Sequence, residues 1–217
     1  MKIIPVIHHK TKDLTIKNAK LCFENNTYGI FIISMEGKNI DLSALAKKIK
    51  NEFPTLKVGV NHLGYQASES VYEGLNYSLD MIWSDEPIVT GSCIHEEAIK
   101  IEQEIKNSSL MFFNSVSFKY QKEEFFIEEA VQNSKKLGFI PTTSGKATGV
   151  AADVEKINKM KRILEDYPLA IASGLTPENI QEYTKMIEYG LVSTGISKSF
   201  YEFDEIKLKE LIEKCKI

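Results

Sequence analysis

Cysteine is scarce in this sequence, and its pattern excludes the scaffolds that depend on it. The three cysteines are Cys22, Cys93 and Cys215. Their number is odd, they lie far apart in the sequence, and none belongs to a Cys-x-x-Cys pair. This pattern argues against a disulfide framework and against a zinc module. We therefore expect a reduced protein of the cytoplasm.

The sequence also lacks the features of a membrane protein or a nucleic-acid-binding protein. No apolar run approaches the ~18 residues that a transmembrane helix needs. Pro5 interrupts the first apolar segment too early for a signal peptide. The 27 basic and 30 acidic residues leave a net charge of −3, and no stripe of lysine and arginine dominates any segment. We expect neither a membrane nor a nucleic-acid partner.

Nucleotide-binding motifs are missing as well. No Gly-x-Gly-x-x-Gly turn follows the first predicted strand. A Gly-Lys pair occurs at Gly145, but Ala147 stands where a P-loop requires serine or threonine, and Ile140 stands where it requires glycine. We expect no cofactor. The segment is instead predicted to be a loop over a ligand, with contributions from Ser144, Thr148 and Gly149.

What the sequence does contain is a regular alternation of short apolar runs with helical periodicity. The first run is Lys2–Ile7 and the last is Gly190–Ser193, with six more between them. Seven of the runs are followed by a segment in which apolar residues recur every three or four positions, which predicts a helix. After the seventh run, the helix is predicted from its start signal, Thr176-Pro177. Eight such units predict a single-domain α/β protein, a (β/α)₈ TIM barrel over residues 1–217. A doubly wound open sheet is the alternative.

Two glycine turns after the last two predicted strands indicate a phosphate site. In a TIM barrel, phosphate often binds after strands 7 and 8, where main-chain N–H groups at helix N-termini attract anions. Ordinary turn chemistry between a strand and a helix uses the same residue types, so one such turn alone decides nothing. Two in succession favour phosphate binding, and we assign it to Ser173, Gly174 and Thr176 in the first turn and Thr194, Gly195 and Ser197 in the second.

Polar residues stand at the end of every predicted strand, which is the active face of a TIM barrel. His8 and His9 are adjacent and must point to opposite sides of a strand, so only one of them can face the barrel interior. No His-x-His or His-Glu-x-x-His spacing is present, and we expect no metal site. The alternatives are a structural role for the histidines, a solvated side chain for Lys119, and simple loop polarity for Glu36 and Asp85. The candidates for acid–base chemistry are His8, Glu36, His62, Asp85 and Lys119.

Several of these stretches resemble the BtpA family of barrel proteins. The similarity spans most of the chain and is specific in its last third. The stretches are Thr143–Gly149, Asp153–Lys156, Ser173–Asn179 and Thr194–Lys198, and more loosely Val60–Gly64 and Val116–Lys119. The resemblance implies a ribulose-phosphate-binding type of barrel. The family is named for a role in photosystem I accumulation, many relatives belong to organisms without photosynthesis, and similar sequences are labelled phosphoribosyltransferases.

The sequence departs from this family at the substrate end. Lys10–Asp13 replaces a loop rich in proline and glycine, and Tyr120 stands where a histidine often follows the lysine. Two hypotheses follow. The first is an enzyme acting on a phosphorylated sugar or nucleotide, by phosphoribosyl transfer or sugar-phosphate isomerisation. The second is a non-catalytic phospholigand-binding or assembly factor. The sequence leaves the oligomeric state open between a monomer and a homo-oligomer.

Overall fold

Eight parallel strands close into a barrel in the computed structural model, which describes residues 1–36, 41–121 and 124–216. Each strand pairs with the next in sequence, and the last pairs with the first. The predicted TIM barrel is confirmed. The strands are β1 (Lys2–His8), β2 (Gly29–Ile33), β3 (Lys57–Asn61), β4 (Met81–Ser84), β5 (Met111–Ser115), β6 (Ile140–Thr143), β7 (Ala170–Ala172) and β8 (Tyr189–Val192).

The helices of the outer layer begin where short polar side chains cap them. Asp41 accepts a hydrogen bond from the main-chain N–H of Ala44, and Thr11, Asp153 and Asp204 cap three other helices in the same way. The α-helices of the described residues are α1 (Lys12–Glu24), α2 (Leu42–Glu52), α3 (Ala67–Asn76), α4 (Glu96–Ile105), α5 (Ile127–Lys136), α6 (Val154–Leu164) and α7 (Glu205–Lys214).

The prediction of a helix that starts at Thr176-Pro177 is wrong. The segment between β7 and β8 contains a single 3₁₀ turn, Ile180–Glu182. The Asn179 side chain accepts from the N–H of Thr176 at 2.9 Å and donates to the carbonyl of Gly174 at 2.7 Å. Such local bonds compete with helical hydrogen bonding, and here they hold the segment in successive turns.

Two further departures concern the loops above the barrel. The apolar and polar stretch that begins at Met111 leaves the sheet early: β5 ends at Ser115, because Ser117 (φ 48°) and Tyr120 (φ 63°) adopt the left-handed conformation. After β8 the chain forms a small antiparallel hairpin, β9 (Ser197–Ser199) and β10 (Glu202–Phe203), which the sequence analysis did not predict.

The core has two layers, one between sheet and helices and one inside the barrel. Phe31 lies at the centre of the inner layer, with its ring centroid 5.2 Å from that of Phe113 and 5.8 Å from that of Trp83. Gly59 leaves room for it, since a Cβ built there would lie 2.6 Å from the Phe31 ring. The inner layer therefore fills the barrel below its C-terminal mouth. Over the described ranges, no helix has the length and apolar character needed to cross a bilayer.

Truncating the inner layer is expected to destabilise the whole barrel. Phe31 is fully buried, and Phe31→Ala should lower the free energy of unfolding by about 3–5 kcal/mol, because it removes burial and leaves a cavity. Phe125, which is 79% exposed, is the matched control, and Phe125→Ala should change that value by less than about 0.5 kcal/mol. Urea denaturation measures both variants. Equal losses in the two would contradict the assignment of Phe31 to the core.

Candidate functional site

A cavity of about 270 Å³ opens at the C-terminal ends of the strands. Its floor is apolar and consists of inward-facing side chains of the barrel, among them Val6, Ile33, Trp83 and Leu191. Polar side chains from several loops form its wall. They are His8, Asp85, Lys119, Tyr120, Thr148, Ser173, Ser193 and Thr194, with Phe200 from the hairpin beside them. We call this cavity the mouth.

The two adjacent histidines at the end of β1 point in opposite directions, as predicted. His8 faces the mouth, where its Nδ1 lies 3.1 Å from Ser193 Oγ and its ring stacks on Phe200 at 4.2 Å. His9 faces α1, and its Nδ1 lies 2.9 Å from Thr15 Oγ1. Burial lowers the pKa of His8, and the nearby Lys119 lowers it further. Both effects favour the neutral imidazole.

Asp85 follows β4 and brings a carboxylate into the mouth. Burial raises the pKa of its side chain, although the Asn61 amide, which donates to Oδ1 at 3.2 Å, and the positive charge of Lys119 act in the opposite direction. The Gln121 side chain donates to the Asp85 carbonyl at 2.6 Å and holds the loop in place. A buried carboxyl group with a raised pKa in a cavity is a candidate for proton exchange with a ligand.

Lys119 reaches the mouth from the loop after β5. Its main-chain N–H donates to Ser144 Oγ at 2.8 Å, and its Nζ donates to Thr148 Oγ1 at 3.3 Å. Burial lowers the pKa of its amine, while Asp85 and then Tyr120 raise it. The Tyr120 hydroxyl also lies 3.4 Å from Thr148 Oγ1, so one threonine links both side chains.

The other two acid–base candidates lie outside the mouth. Glu36 is exposed, and its main-chain N–H donates to Ser34 Oγ. His62 packs between β3 and α2, where its Nε2 lies 3.0 Å from Ser43 Oγ and its ring stacks on Tyr65 at 4.7 Å. These contacts give His62 a role in holding α2 on the barrel.

The two glycine turns after β7 and β8 contact each other closely. A Cβ built on Gly195 would overlap the carbonyl of Leu175, and one built on Gly174, whose φ is 76°, would overlap the main chain of Val150. Glycine is therefore needed at both positions so that main chain can pack on main chain. The space that we predicted for a ligand beside Gly174 is filled by the loop after β6.

Some of the predicted phosphate-binding residues do reach the mouth. Ser173 and Thr194 line it, as does Thr148 of the predicted ligand loop. The hydroxyls of Thr176 and Ser197 are used within the protein, by the N–H of Glu178 and the carbonyl of Ser193. Ser144 accepts from Lys119, and the N–H of Gly149 donates to Ser173 Oγ at 2.9 Å.

Main-chain donors remain at both turns. Within the described ranges, the N–H groups of Gly174, Thr194 and Gly195 donate to no protein acceptor. Gly174 follows Ser173, and Gly195 follows Thr194, and the side chains of Ser173 and Thr194 line the mouth. Because the segment after β7 is not an α-helix and the one after β8 starts with a single 3₁₀ turn (Thr194–Ile196), these N–H groups would act individually, without the dipole of a long helix behind them.

Lys156 is the residue of this region that sequence reasoning missed. Its Nζ donates to the carbonyls of Ser144 at 2.6 Å and Ser117 at 3.0 Å, which ties the loop after β5 to the loop after β6. Burial lowers the pKa of its amine to about 8. No motif marks Lys156, because its function depends on two loops that are distant in the sequence. Phe200 and Ser193 were missed for the same reason.

Among the described residues, no group of three or more His, Cys, Asp or Glu side chains is arranged to hold a metal ion. The mouth itself contributes one histidine and one carboxylate, His8 and Asp85. The chemistry available there is therefore that of an amine, a carboxyl group, an imidazole and several hydroxyls.

Known structures with the same fold were found by comparison of the coordinates. Phosphoribosyl anthranilate isomerase from Thermotoga maritima has a TM-score of 0.72 at 15% identity, with 100% of this chain and 98% of that chain covered. Thiamine phosphate pyrophosphorylase from Pyrococcus furiosus has a TM-score of 0.68 at 13% identity, covering 99% and 95%. The isomerase from Thermus thermophilus has a TM-score of 0.71 at 12% identity, covering 99% and 98%.

These similarities establish the fold. No protein-family model matches the sequence, and no curated protein matches it. The BtpA resemblance stays a prediction.

Acid should destabilise this protein partly through His62. Burial lowers the pKa of its ring from 6.5 to about 4. Between these two pH values the ring is protonated in the unfolded chain and neutral in the folded chain. Stability must fall as the pH is lowered between these values. From about pH 7.5 to about pH 5, the wild type should lose about 2 kcal/mol more than His62→Gln, measured by urea denaturation. Equal losses in the two proteins would contradict a buried neutral His62.

Proposed function

We propose that this protein is an enzyme that binds a small phosphorylated sugar at the mouth and isomerises it by proton transfer. The observation that carries the proposal is the presence of Asp85 and Lys119 in one cavity, each displaced by burial towards its neutral form. A carboxyl group and an amine with such pKa values are suited to exchange protons with a substrate.

The phosphate would be held at the β7 and β8 side of the mouth. Ser173 and Thr194 offer hydroxyls there, and the free N–H groups of Thr194 and Gly195 offer main-chain donors. Neutral donors of this kind bind phosphate without a charged side chain beside them. Support comes from a similar structure, a phosphoribosyl anthranilate isomerase in complex with reduced 1-(o-carboxyphenylamino)-1-deoxyribulose 5-phosphate, with a TM-score of 0.71 at 15% identity.

The reacting carbons would then lie nearer the β4 and β5 side, where Asp85 and Lys119 stand, while His8 lies beside Ser193 after β8. Isomerisation of a sugar phosphate removes a proton from the carbon next to a carbonyl and delivers one to the carbonyl oxygen. Asp85 can accept the first proton, and Lys119 can activate the carbonyl. Because the mouth brings together two groups suited to proton transfer, we propose isomerisation in preference to phosphoribosyl transfer.

A non-catalytic phospholigand-binding protein is the second candidate. The observation that favours it is that Glu36 and His62, two of the five predicted acid–base residues, lie outside the mouth. A barrel that kept only its anion site would bind phosphorylated ligands without turning them over. Turnover assays after a binding measurement separate the two functions.

A negative charge introduced beside the proposed phosphate should abolish binding. Thr194→Asp and Thr194→Asn have the same shape and differ in charge. In calorimetry with D-ribulose 5-phosphate and with inorganic phosphate, we expect Thr194→Asp to bind at least about tenfold more weakly than Thr194→Asn, through Coulomb repulsion. D-ribulose without phosphate is the control ligand, and it should not distinguish the variants. Equal affinity of both variants for phosphate would place the anion elsewhere.

Removing the acid–base pair should stop turnover while leaving ligand binding. Asp85→Asn and Lys119→Met should each lower the isomerisation rate of pentose and triose phosphates by about 10²-fold or more. Lys209→Met removes an exposed lysine of α7 that pairs with Glu205, and it should have wild-type activity. If all proteins bind the sugar phosphates and none turns them over, the non-catalytic function is favoured.

A further inference from the structure

The amine of Lys119 has an unusual set of neighbours. In the parts of the chain that the structure describes, no carboxylate forms an ion pair with it. Its contacts are the Thr148 hydroxyl at 3.3 Å and the ring of Phe118, whose centroid is 5.6 Å from Nζ. Lys119 is therefore half-buried at the wall of the mouth, with its amine in contact with neutral groups.

We propose that Lys119 is a nucleophile whose amine forms an imine with the carbonyl carbon of the substrate. The inference rests on the proposed function and deepens it, because it restricts the substrate to a phosphorylated aldehyde or ketone in its open-chain form. The carbonyl is then activated by a covalent bond to Lys119 instead of by charge alone.

The mouth supplies the protonation state that this step requires. An amine attacks a carbonyl only when it is neutral, and burial over the apolar floor lowers the pKa of Lys119. Asp85 lines the same cavity, and burial raises the pKa of its carboxyl group. Burial therefore shifts both groups towards their neutral forms, an amine that can attack a carbonyl and a carboxyl group that can give up a proton.

The atoms and charges of the step balance with these two residues. The neutral Lys119 amine adds to the carbonyl carbon, and a proton moves from nitrogen to oxygen to give a carbinolamine. Asp85 then donates its proton to the hydroxyl, which leaves as water while the nitrogen lone pair forms the C=N bond. The products are a cationic iminium on Lys119 and the carboxylate of Asp85. That carboxylate can next accept a proton from the adjacent carbon.

The loop that carries Lys119 is held firmly enough for this role. The main-chain N–H of Lys119 donates to Ser144 Oγ, and the ammonium of Lys156 donates to the carbonyls of Ser117 and Ser144. Residues with positive φ stand at Ser117 and Tyr120. A conformation determined by so many contacts keeps the amine in one position, which a covalent step needs.

Lys156 is the competing amine, because its pKa is lowered to about 8. Its Nζ is occupied by two carbonyl oxygens, at 2.6 and 3.0 Å, and it does not line the mouth. We therefore assign it to positioning the loop, and the geometry leaves Lys119 as the amine that faces a ligand.

Reductive trapping tests the proposal directly. The full chain is incubated with dihydroxyacetone phosphate or D-ribulose 5-phosphate in the presence of sodium cyanoborohydride, followed by intact mass measurement and peptide mapping. We expect one reduced adduct per chain, located on Lys119. It should be absent from Lys119→Arg, present in Lys209→Met, and formed at least about tenfold more slowly in Asp85→Asn. The trapping rate should fall at acid pH, where the amine is protonated, and at alkaline pH, where Asp85 has lost the proton that it donates.

Each alternative outcome has a distinct meaning. Absence of an adduct with both sugar phosphates, or labelling spread over surface lysines, overturns the imine. If calorimetry still detects binding of D-ribulose 5-phosphate in that case, the proposed function survives without it. An adduct on Lys119 that forms equally fast with unphosphorylated dihydroxyacetone supports the imine and contradicts the phosphate site. Circular dichroism of Lys119→Arg confirms that loss of the adduct is not loss of the fold.

Discussion

The pairing of β1 with β8 is the constraint on which the rest of the structure depends. The first half of β1 pairs with β8, from Lys2 opposite Tyr189 to Pro5 opposite Val192, and its second half pairs with β2 up to His8 opposite Ile33. This stagger closes the barrel and carries the end of β1 past the end of β8. As a result His8 meets Ser193, and the first strand contributes to the same cavity as the last.

Burial above the filled interior of the barrel shifts the pKa values of the ionisable groups in the mouth. Phe31, Trp83 and Phe113 occupy the inside of the sheet, so the polar side chains at the strand ends lie on an apolar floor. The same desolvation acts on groups of both signs: it raises the pKa of Asp85 and lowers that of Lys119. The two residues still attract each other, but within this cavity the cost of burial is the larger effect on both.

The candidate site shows how far reasoning from strand ends can go. His8, Asp85 and Lys119 line one cavity, because the ends of parallel strands in a closed barrel share one face. Glu36 and His62 follow the same rule in the sequence and yet lie outside the mouth. Alternation explains part of this difference, since successive side chains point to opposite sides, and His62 is turned towards Ser43 on α2. A polar residue near a strand end can be assigned to the C-terminal end of the barrel from the sequence. Whether its side chain points into the barrel or towards the helices cannot.

The sequence by itself determined the barrel, since eight apolar runs alternating with helical periodicity and helix caps such as Asp41 and Asp153 are local patterns of hydrophobicity and hydrogen bonding. Only the tertiary structure decided what occupies the space beside the two glycines and what surrounds each amine. At Gly174 and Gly195 a neighbouring loop packs where a ligand could equally have bound, and nothing in the turn sequence separates the two cases. Lys119 and Lys156 likewise differ only in what lies around them, because burial and long-range hydrogen bonds are properties of residues that meet in space.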